Sequence, residues 1–425
     1  MAGYIEDRWL TKRPDPTTSK KRRTALYGTG KRYKVAGIPG VRSKSFDHLG
    51  GPDGANAWMA KAQADTLRGE YIDPRDGKVT LAAYFDKQYW PTRTGDPSTL
   101  DTIERRVRVR ILPHLGDMSL NAIRVPQLRA FLAALHGKYN ANSIIETWGT
   151  LSTILHAAVD DEKIPKNPCL AKSVGPPSKT PVLARAWTRD RVSAVRKGLD
   201  ARFQVMVDLG VGAGLRQGEV IGLSVDDIDE AAGLIHVRRQ VRIIKSRQVY
   251  SLPKGGKIRT VPLPPILAQR IKEHRKAFPP ISVTLPWLDP DPPETQKQAE
   301  ERAPQTHTLL VSGEISKTAA LRRSVFNEGP WKRALLAAGV ILPPPEKQPG
   351  DRSNIKYAAA PADGFHALRH TFASVHLHER ESVVAVAKWL GHADPSITLK
   401  IYAHMMPEAD GRGRKAMDAW LGSLS

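Results

Sequence analysis

The sequence predicts a mixed α+β protein that is mainly helical and has three parts. Helical periodicity dominates the middle of the chain, where Leu128, Phe131 and Leu135 repeat along one face of a helix. Strand periodicity appears later, between Gly233 and Ile244, where apolar residues alternate with polar ones as in a half-buried strand. A basic segment precedes both. We therefore expect a small N-terminal module, a helical domain, and a second helical domain with a small antiparallel sheet.

The first part covers residues 1–72 and is rich in lysine and arginine. Two short extended stretches, Arg32 to Ala36 and Val41 to Phe46, are separated by the turn Gly37-Ile38-Pro39-Gly40. Apolar residues from Ala55 to Ala62 then recur with helical spacing. These patterns predict a small basic sheet backed by one helix, with a basic, partly flexible tail as the alternative.

The second part, residues 79–175, is predicted to contain four helices. The first spans Leu81 to Trp90, and Pro97 marks the start of the second. The apolar stripe noted above and another from Ile145 to Val159 indicate the third and fourth. Prolines then mark a linker, after which Thr188 is the expected N-cap of the next domain.

The third part covers residues 181–425. Two proline-rich stretches, Pro279 to Pro304 and Pro343 to Pro361, are interpreted as surface loops of an insertion over about 279–361. Residues 407–424 are predicted to form a last helix with an apolar stripe.

Charge indicates the kind of partner. The chain has 65 lysines and arginines against 43 aspartates and glutamates, a net charge of +22, which favours a polyanion. Cys169 is the single cysteine, which excludes an internal disulfide and fits a reducing compartment. Neither a signal peptide nor an apolar run long enough to cross a bilayer is found. We therefore expect a cytoplasmic protein that meets DNA inside a bacterial cell.

One stretch near the C-terminus, Gly364 to His404, gathers His366, Arg369, His392 and Tyr402. On a helix, His366 and Arg369 stand one turn apart and share a face, so an imidazole and a fixed cation can converge on one anion. Taken singly, each of these residues is as readily explained by a structural role, as a cap, a turn residue or a half-buried phenol.

Two distant segments complete the set. Arg216 follows an apolar helix that ends in glycines, and Glu219 lies one turn later, where its carboxylate can hold the guanidinium. Val249 to Leu263 is predicted to form two strands closed by a Gly-Gly turn with Lys254 and Lys257 on either side.

The ordered set resembles the signature of the tyrosine recombinases, the phage integrase family, over about residues 85–425. Its six members are Arg216, Lys254, His366, Arg369, His392 and Tyr402. The resemblance implies that Tyr402 attacks a DNA phosphodiester to give a 3′-phosphotyrosyl intermediate and a free 5′ hydroxyl. It implies that Arg216 and Arg369 hold the non-bridging oxygens and that Lys254, rather than Lys257, protonates the leaving oxygen. His366 would deprotonate or hold Tyr402, and His392 would hydrogen-bond the phosphate.

The resemblance also implies roles for the domains and partners. Residues 1–72 would bind arm-type DNA sites, residues 79–175 would bind the core site, and residues 181–425 would be catalytic. The partners are double-stranded DNA, three further copies of the chain in a tetramer on a Holliday junction, and, in many family members, a host DNA-bending protein and an excision factor. The last helix would pack on a neighbouring protomer or on its own domain. Candidate DNA contacts are Lys21, Arg22, Arg23, Arg32, Arg105, Arg106, Arg108 and Lys257.

Other site chemistries are less favoured. Histidines are frequent near the C-terminus, but a His-Glu-x-x-His motif is missing and there is one cysteine, so we predict no metal and no other cofactor. A conjugative-element integrase or a DNA-relaxing strand-transfer enzyme would use the same site on other substrates. A non-catalytic DNA-binding regulator remains as an alternative of a different class.

Overall fold

The computed structural model describes residues 3–16, 18–68, 71–73, 75–179, 185–313, 319–344, 357, 361–406 and 411–423. The chain divides into two compact units, Met1–Thr180 and Pro181–Ser425. The first unit contains two separate apolar cores, one in its basic N-terminal module and one in its helical part, and the second unit has a single larger core.

The N-terminal module is a three-stranded antiparallel sheet with one helix against it. The strands are β1 (Tyr4–Asp7), β2 (Tyr33–Ala36) and β3 (Lys44–Phe46), in the order β1-β2-β3, and the helix is α1 (Ala55–Leu67). The two predicted strands and the helix are present. Strand β1 was not predicted, because its four residues show no clear strand pattern and are ordered by pairing with β2.

The helical part of the first unit carries the predicted helices. The first is α2 (Leu81–Tyr84), extended by a wider turn over Phe85–Tyr89. The second is α3 (Pro97–Arg106), which continues through a wider turn over Val107–Ile111 into α4 (Leu112–Leu115) without a break. The third and fourth are α5 (Val125–Leu135) and α6 (Ala141–Asp160). The Asp96 carboxylate accepts hydrogen bonds from the backbone N–H groups of Ser98 and Thr99, so α3 is capped one residue before Pro97. The stripes of α5 and α6 face the core.

The second unit is mainly helical. Its helices are α7 (Arg189–Lys197), α8 (Ala201–Gly212), α9 (Gln217–Ile221), α10 (Pro265–Ala277), α11 (Gln296–Glu301), α12 (Arg323–Phe326), α13 (Lys332–Ala337), α14 (His366–His378), α15 (Val383–Leu390), α16 (Pro395–Tyr402) and α17 (Arg412–Gly422). Thr188 caps α7 by accepting a hydrogen bond from the backbone N–H of Arg191, as predicted. Helices α8 and α14 pack so closely that a Cβ on Gly210 would lie 2.8 Å from Leu368. This close packing brings the end of α8 and the start of α14 together.

The strands of the second unit are shorter and differently paired than predicted. They are β4 (Ile228–Asp229), β5 (Leu234–Val237), β6 (Gln240–Ile244), β7 (Arg247–Ser251), β8 (Arg259–Pro262), β9 (Ile281–Leu285) and β10 (Gln305–Leu309). The sheets have the orders β4-β5-β8, β6-β7 and β10-β9, all antiparallel.

Two strand predictions are therefore wrong. The alternating stretch from 233 to 244 is two strands, because Arg239 turns inward to pair with the buried carboxylate of Asp227 at 2.5 Å. The segment from 249 to 263 is not a hairpin, because β7 pairs with β6 and β8 pairs with β5. The Gly-Gly turn that carries Lys254 instead links two sheets.

The first proline-rich stretch is also more ordered than a surface loop. It contains β9, whose Val283 and Leu285 are buried in the core of the unit, and β9 pairs with β10. The prolines flank this strand and do not interrupt it. Most of the second stretch, 345–356 and 358–360, lies outside the described residues.

Helix α17 begins at Arg412, and residues 407–410 and 424 of the predicted last helix lie outside the described residues. Met417, Trp420 and Leu421 are each more than half exposed. Within the described ranges, every helix is too short or too polar to span a bilayer.

Candidate active site

Two arginines from distant segments converge at the end of α15. Arg369, on α14, is 1% exposed and donates to the carbonyls of Gly214, at 2.7 Å, and Leu390. Arg216 lies at the N-cap of α9 and donates to the same Leu390 carbonyl at 3.4 Å. This carbonyl is free of a helical partner because α15 ends at Gly391, which has a left-handed φ of 65°.

A single carboxylate fixes the orientation of Arg216. Glu219 accepts hydrogen bonds from Nη1 of Arg216 at 2.9 Å and from its backbone N–H at 2.8 Å, as its spacing predicted. Glu219 also accepts two hydrogen bonds from Arg259, on β8, which the sequence reasoning missed. Burial alone would raise the pKa of Glu219, but Arg259 and Arg216 outweigh it and lower the pKa to about 2. The carboxylate is therefore ionised.

The phenol of Tyr402 lies beside these arginines. Tyr402 is the last residue of α16 and is 1% exposed. Burial raises its pKa to about 12, while the positive charges of Arg369 and Arg216 act in the opposite direction. Its hydroxyl is 2.8 Å from Nδ1 of His370.

His366 and His370 lie one helical turn apart on α14, and His366 does not make the contact that we expected of it. We expected His366 to contact Tyr402, but the hydrogen bond to Tyr402 is made by His370. His366 is exposed, and its ring lies edge-on to that of His370 with centroids 4.8 Å apart. Surrounding protein and the charges of His370 and Arg369 lower the pKa of His366, although solvent at the exposed ring weakens this effect.

His392 follows Gly391 and points back to the arginines. Its Nε2 is 3.4 Å from Nη2 of Arg369, and its Nδ1 is 2.6 Å from the hydroxyl of the fully buried Thr398. Because a guanidinium only donates, Nε2 accepts and Nδ1 donates to Thr398 in this arrangement. Burial and the charge of Arg369 lower the pKa of His392 to about 4, so the ring is neutral at pH 7.

Lys254 lies on the exposed turn between β7 and β8. Gly255 and Gly256 have φ values of 85° and 70°, which a side chain would disfavour. The charge of Lys254 is the smallest of those that lower the pKa of His366, after burial and the charges of His370, Arg369 and Arg216. Lys257 is exposed on the same turn.

Comparisons with known proteins point to one family, although no family model matches the chain. A tyrosine recombinase XerC-like protein from Caldanaerobacter subterraneus is 26% identical over 310 residues, covering 69% of this chain and 70% of that protein. The integrase of Mycobacterium phage D29 is 26% identical over 229 residues, covering 52% of this chain and 60% of that protein. These relatives confirm the resemblance to the tyrosine recombinases that the sequence predicted.

Solved structures share the fold of this chain. The Tn1549 transposon integrase in complex with transposon right end DNA matches with a TM-score of 0.58 at 17% identity, over 80% of this chain and 99% of that one. A lambda integrase tetramer bound to a Holliday junction matches with a TM-score of 0.54 at 16% identity, over 96% and 97% of the two chains.

Of the eight basic residues that we predicted to contact DNA, four are held in ion pairs. Those pairs are Arg22 with Asp15, Arg32 with Asp7, Arg106 with Glu146, and Arg108 with Glu104 and Asp86. Arg23 lies over the ring of Tyr27 at 4.1 Å. Lys21, Arg105 and Lys257 are exposed. A paired arginine can bind a DNA phosphate only if the phosphate displaces its carboxylate partner or binds the guanidinium together with it. Lys21, Arg105 and Lys257 are therefore the stronger candidates for DNA contacts.

Proposed function

We propose that the chain is a site-specific DNA recombinase of the phage integrase type. It cleaves a strand through Tyr402, holds it as a 3′-phosphotyrosyl intermediate and rejoins it to a second duplex through a Holliday junction. The observation that supports this most directly is geometric: Arg216 and Arg369 donate to one carbonyl, that of Leu390, and the Tyr402 hydroxyl is hydrogen-bonded to His370, which directly follows Arg369. A nucleophile beside two phosphate-binding cations can transfer a strand without ATP, since the phosphotyrosyl bond conserves the energy of the broken one.

The arginine pair suits the transition state of this reaction. Attack on the phosphodiester concentrates negative charge on the non-bridging oxygens of a five-coordinate phosphorus. Arg216 and Arg369 both aim at the Leu390 carbonyl, a single acceptor at the site, so their guanidinium groups are already oriented toward one point. Burial and the nearby charge of Arg216 lower the pKa of Arg369, so an incoming anion would relieve repulsion between them.

Three further residues complete the proposed chemistry. Lys254, on its exposed turn, gives a proton to the leaving 5′ oxygen once the turn meets DNA. His366 is exposed and lies against His370, and we assign to it a hydrogen bond to the phosphate rather than to Tyr402. In its other tautomer, His392 carries its proton on Nε2 and donates it in a hydrogen bond to the phosphate. Nδ1 then accepts a hydrogen bond from the Thr398 hydroxyl, which can donate as well as accept.

Tyr402 packs within the same folded chain as Arg216 and Arg369. This supports cleavage in cis, in which each protomer cleaves the DNA strand that its own arginines bind. The Tyr402 ring is packed in the same core as α8 and α14. A supply of tyrosine from a neighbouring protomer would require α16 to leave this core, which would expose a large buried side chain.

Helix α17 supports assembly into a tetramer on DNA. Its Met417, Trp420 and Leu421 are exposed in the single chain, and a neighbouring copy can cover them. We expect sedimentation on DNA to show a smaller complex for a chain that ends at Met406 than for the full chain. A tetramer that survives this truncation would mean that α17 docks on its own domain or on nothing.

The N-terminal module supports a second DNA contact, which we assign to arm-type sites. Residues 9–24, which we call the basic ribbon, run out and back as two paired segments, with Thr11 donating to Arg22 and Thr24 donating to Trp9, each at 2.9 Å. Thr17 lies outside the described residues. The exposed basic residues of the ribbon are Lys12, Arg13, Lys20, Lys21, Arg22 and Arg23. Such a density of positive charge fits a phosphate backbone. We also propose a host DNA-bending protein and an excision factor as partners that decide between integration and excision.

The basic ribbon is tested by charge reversal. Changing Lys20, Lys21 and Arg23 to glutamate should abolish binding to an arm duplex and leave cleavage of a short core duplex unchanged. Equal loss of both would mean that the ribbon serves folding or general affinity and not a separate site.

The proposed function itself is tested by covalent trapping. We would incubate the protein with nicked duplexes randomised across the crossover region, isolate DNA–protein adducts on a denaturing gel and sequence the DNA. The expected result is an adduct that is enriched for related sequences and is lost in Tyr402→Phe. An adduct that persists in Tyr402→Phe would move the nucleophile elsewhere, and the lack of any adduct with bound DNA would favour a non-catalytic regulator.

A further inference from the structure

We propose that His370 is the general base that takes the proton of Tyr402 during strand cleavage and returns it during rejoining. The inference rests on the proposed function and gives to His370, which lies outside the six-residue signature, the role toward Tyr402 that was expected of His366. Nδ1 of His370 is 2.8 Å from the Tyr402 hydroxyl, within the range for direct proton transfer. Within the described ranges this is the one hydrogen bond of that hydroxyl.

Packing fixes this contact. Tyr402 is buried, and its ring centroid lies 5.6 Å from that of His370. His370 is half-buried and directly follows Arg369, which is anchored by the Gly214 and Leu390 carbonyls. The base is therefore held by the same helix that holds the phosphate-binding arginine, so the proton acceptor and the charge stabiliser keep a constant spacing.

The protonation state also suits a base. Burial and the charge of Arg369 lower the pKa of His370, so its imidazole is neutral at pH 7. A neutral ring with its proton on Nε2 has a lone pair on Nδ1, and the phenol then donates to it.

The proton balance of the step is simple. As the bond from the Tyr402 oxygen to phosphorus forms, the phenolic proton passes to Nδ1 of His370. As the bond from phosphorus to the 5′ oxygen breaks, that oxygen receives a proton from Lys254. In rejoining, a 5′ hydroxyl attacks and gives its proton to the neutral Lys254 amine, the phosphotyrosyl bond breaks, and the His370 imidazolium returns its proton to the Tyr402 oxygen.

Three other histidines near Tyr402, namely His366, His376 and His392, make contacts with other residues. Both ring nitrogens of His392 have partners, Thr398 and Arg369. His366 touches His370 and lies on the exposed side. His376 packs against Phe372 and Trp389, with ring centroids 4.4 and 5.1 Å away. His370 is the histidine with a direct path to the nucleophile.

The test compares His370→Asn with wild type on two nicked duplexes. One carries an ordinary phosphodiester at the crossover, and the other has sulfur in place of the bridging 5′ oxygen, a leaving group that departs without a proton. Asparagine keeps a polar atom near the position of Nδ1 but cannot take a proton. We expect His370→Asn to cleave both duplexes ~100-fold or more slowly, at unchanged DNA affinity. Lys254→Ala should be slow on the ordinary duplex and near wild type on the sulfur duplex.

Two outcomes would overturn the proposal. Wild-type cleavage by His370→Asn would mean that a hydrogen bond alone suffices and His370 only positions Tyr402. Recovery of His370→Asn on the sulfur duplex would place His370 on the leaving-group side. His378→Asn, an exposed position on the same helix, is the matched control and should cleave as wild type. The proposed function fails separately, if wild type gives no Tyr402-dependent adduct on the sulfur duplex.

Discussion

Glu219 and Arg259 form a buried ion pair with two hydrogen bonds, in which Nη1 and Nη2 of Arg259 lie 2.9 and 2.6 Å from the carboxylate oxygens. Nε of Arg259 donates to the Trp389 carbonyl at 2.6 Å, and the same carboxylate binds Arg216. One acidic side chain therefore ties β8 and the end of α15 to the N-cap of α9. We conclude that the orientation of Arg216 depends on Arg259, whose guanidinium is itself buried and held by Glu219 and the Trp389 carbonyl.

Replacement of Glu219 should destabilise the second unit strongly. Glu219→Gln leaves Arg259 buried without a counter-charge, which costs roughly 3–5 kcal/mol for a broken buried pair. Urea unfolding followed by circular dichroism measures this change, with Glu146→Gln as the control, because Glu146 pairs with Arg106 but is largely exposed. A loss no larger than that of the control would show that water reaches the Glu219 pair.

His392 should make the stability of the protein depend on pH. Its pKa is about 4 in the folded chain and 6.5 in the absence of the fold, so the unfolded chain binds the proton more readily. The contribution of neutral His392 is therefore complete above pH 6.5 and is lost as the pH falls toward about 4. Thermal melting of His392→Asn should show a smaller loss across this window than wild type. The exposed His378→Asn should follow wild type, and an equal slope in all three proteins would contradict the expectation.

Thr398 should matter for cleavage and not for DNA affinity. Thr398→Val keeps the shape of a fully buried side chain but removes the hydroxyl 2.6 Å from Nδ1 of His392. The ring then loses the contact that sets its tautomer and orientation, at a cost of about 1–3 kcal/mol for an unsatisfied buried group. We expect about tenfold or greater slowing of adduct formation on a nicked duplex. Thr398→Ser retains the hydroxyl and should cleave at nearly the wild-type rate; if both variants behave alike, packing and not the hydrogen bond is what Thr398 provides.

Local pattern was sufficient for much of the fold and part of the site. The stripes of α5 and α6 and the cap at Thr188 follow from residues that are close in sequence. Likewise, the contact between Glu219 and Arg216 spans three residues and follows from helical spacing. Such features could be predicted because the residues that determine them are neighbours in the chain.

Features that depend on distant partners could not be predicted. The pairing of β8 with β5 rather than β7, and that of β9 with β10, is decided by burial of strands from separate segments. Arg259 reaches Glu219 across 40 residues, so no spacing rule connects them. His370 had a usable signal, since it follows Arg369 and lies one turn after His366, but only the packing of α16 brings Tyr402 to it.

Gly391 should be intolerant of a side chain for two separable reasons. Its φ of 65° disfavours an L residue by roughly 1–2 kcal/mol, and an added Cβ would lie 3.0 Å from Cδ of Arg259. Gly339 has a φ of 67° with nothing within 4 Å of an added Cβ, so Gly339→Ala measures the backbone term alone. Gly391→Ala should therefore lose more stability in urea unfolding than Gly339→Ala. Gly391→Ala alone should also slow adduct formation, because Arg259 is held by Glu219 and Trp389 and cannot move aside without disturbing Arg216. Equal losses in the two variants, with wild-type cleavage in both, would show that Arg259 yields freely and that its link to Arg216 is not rigid.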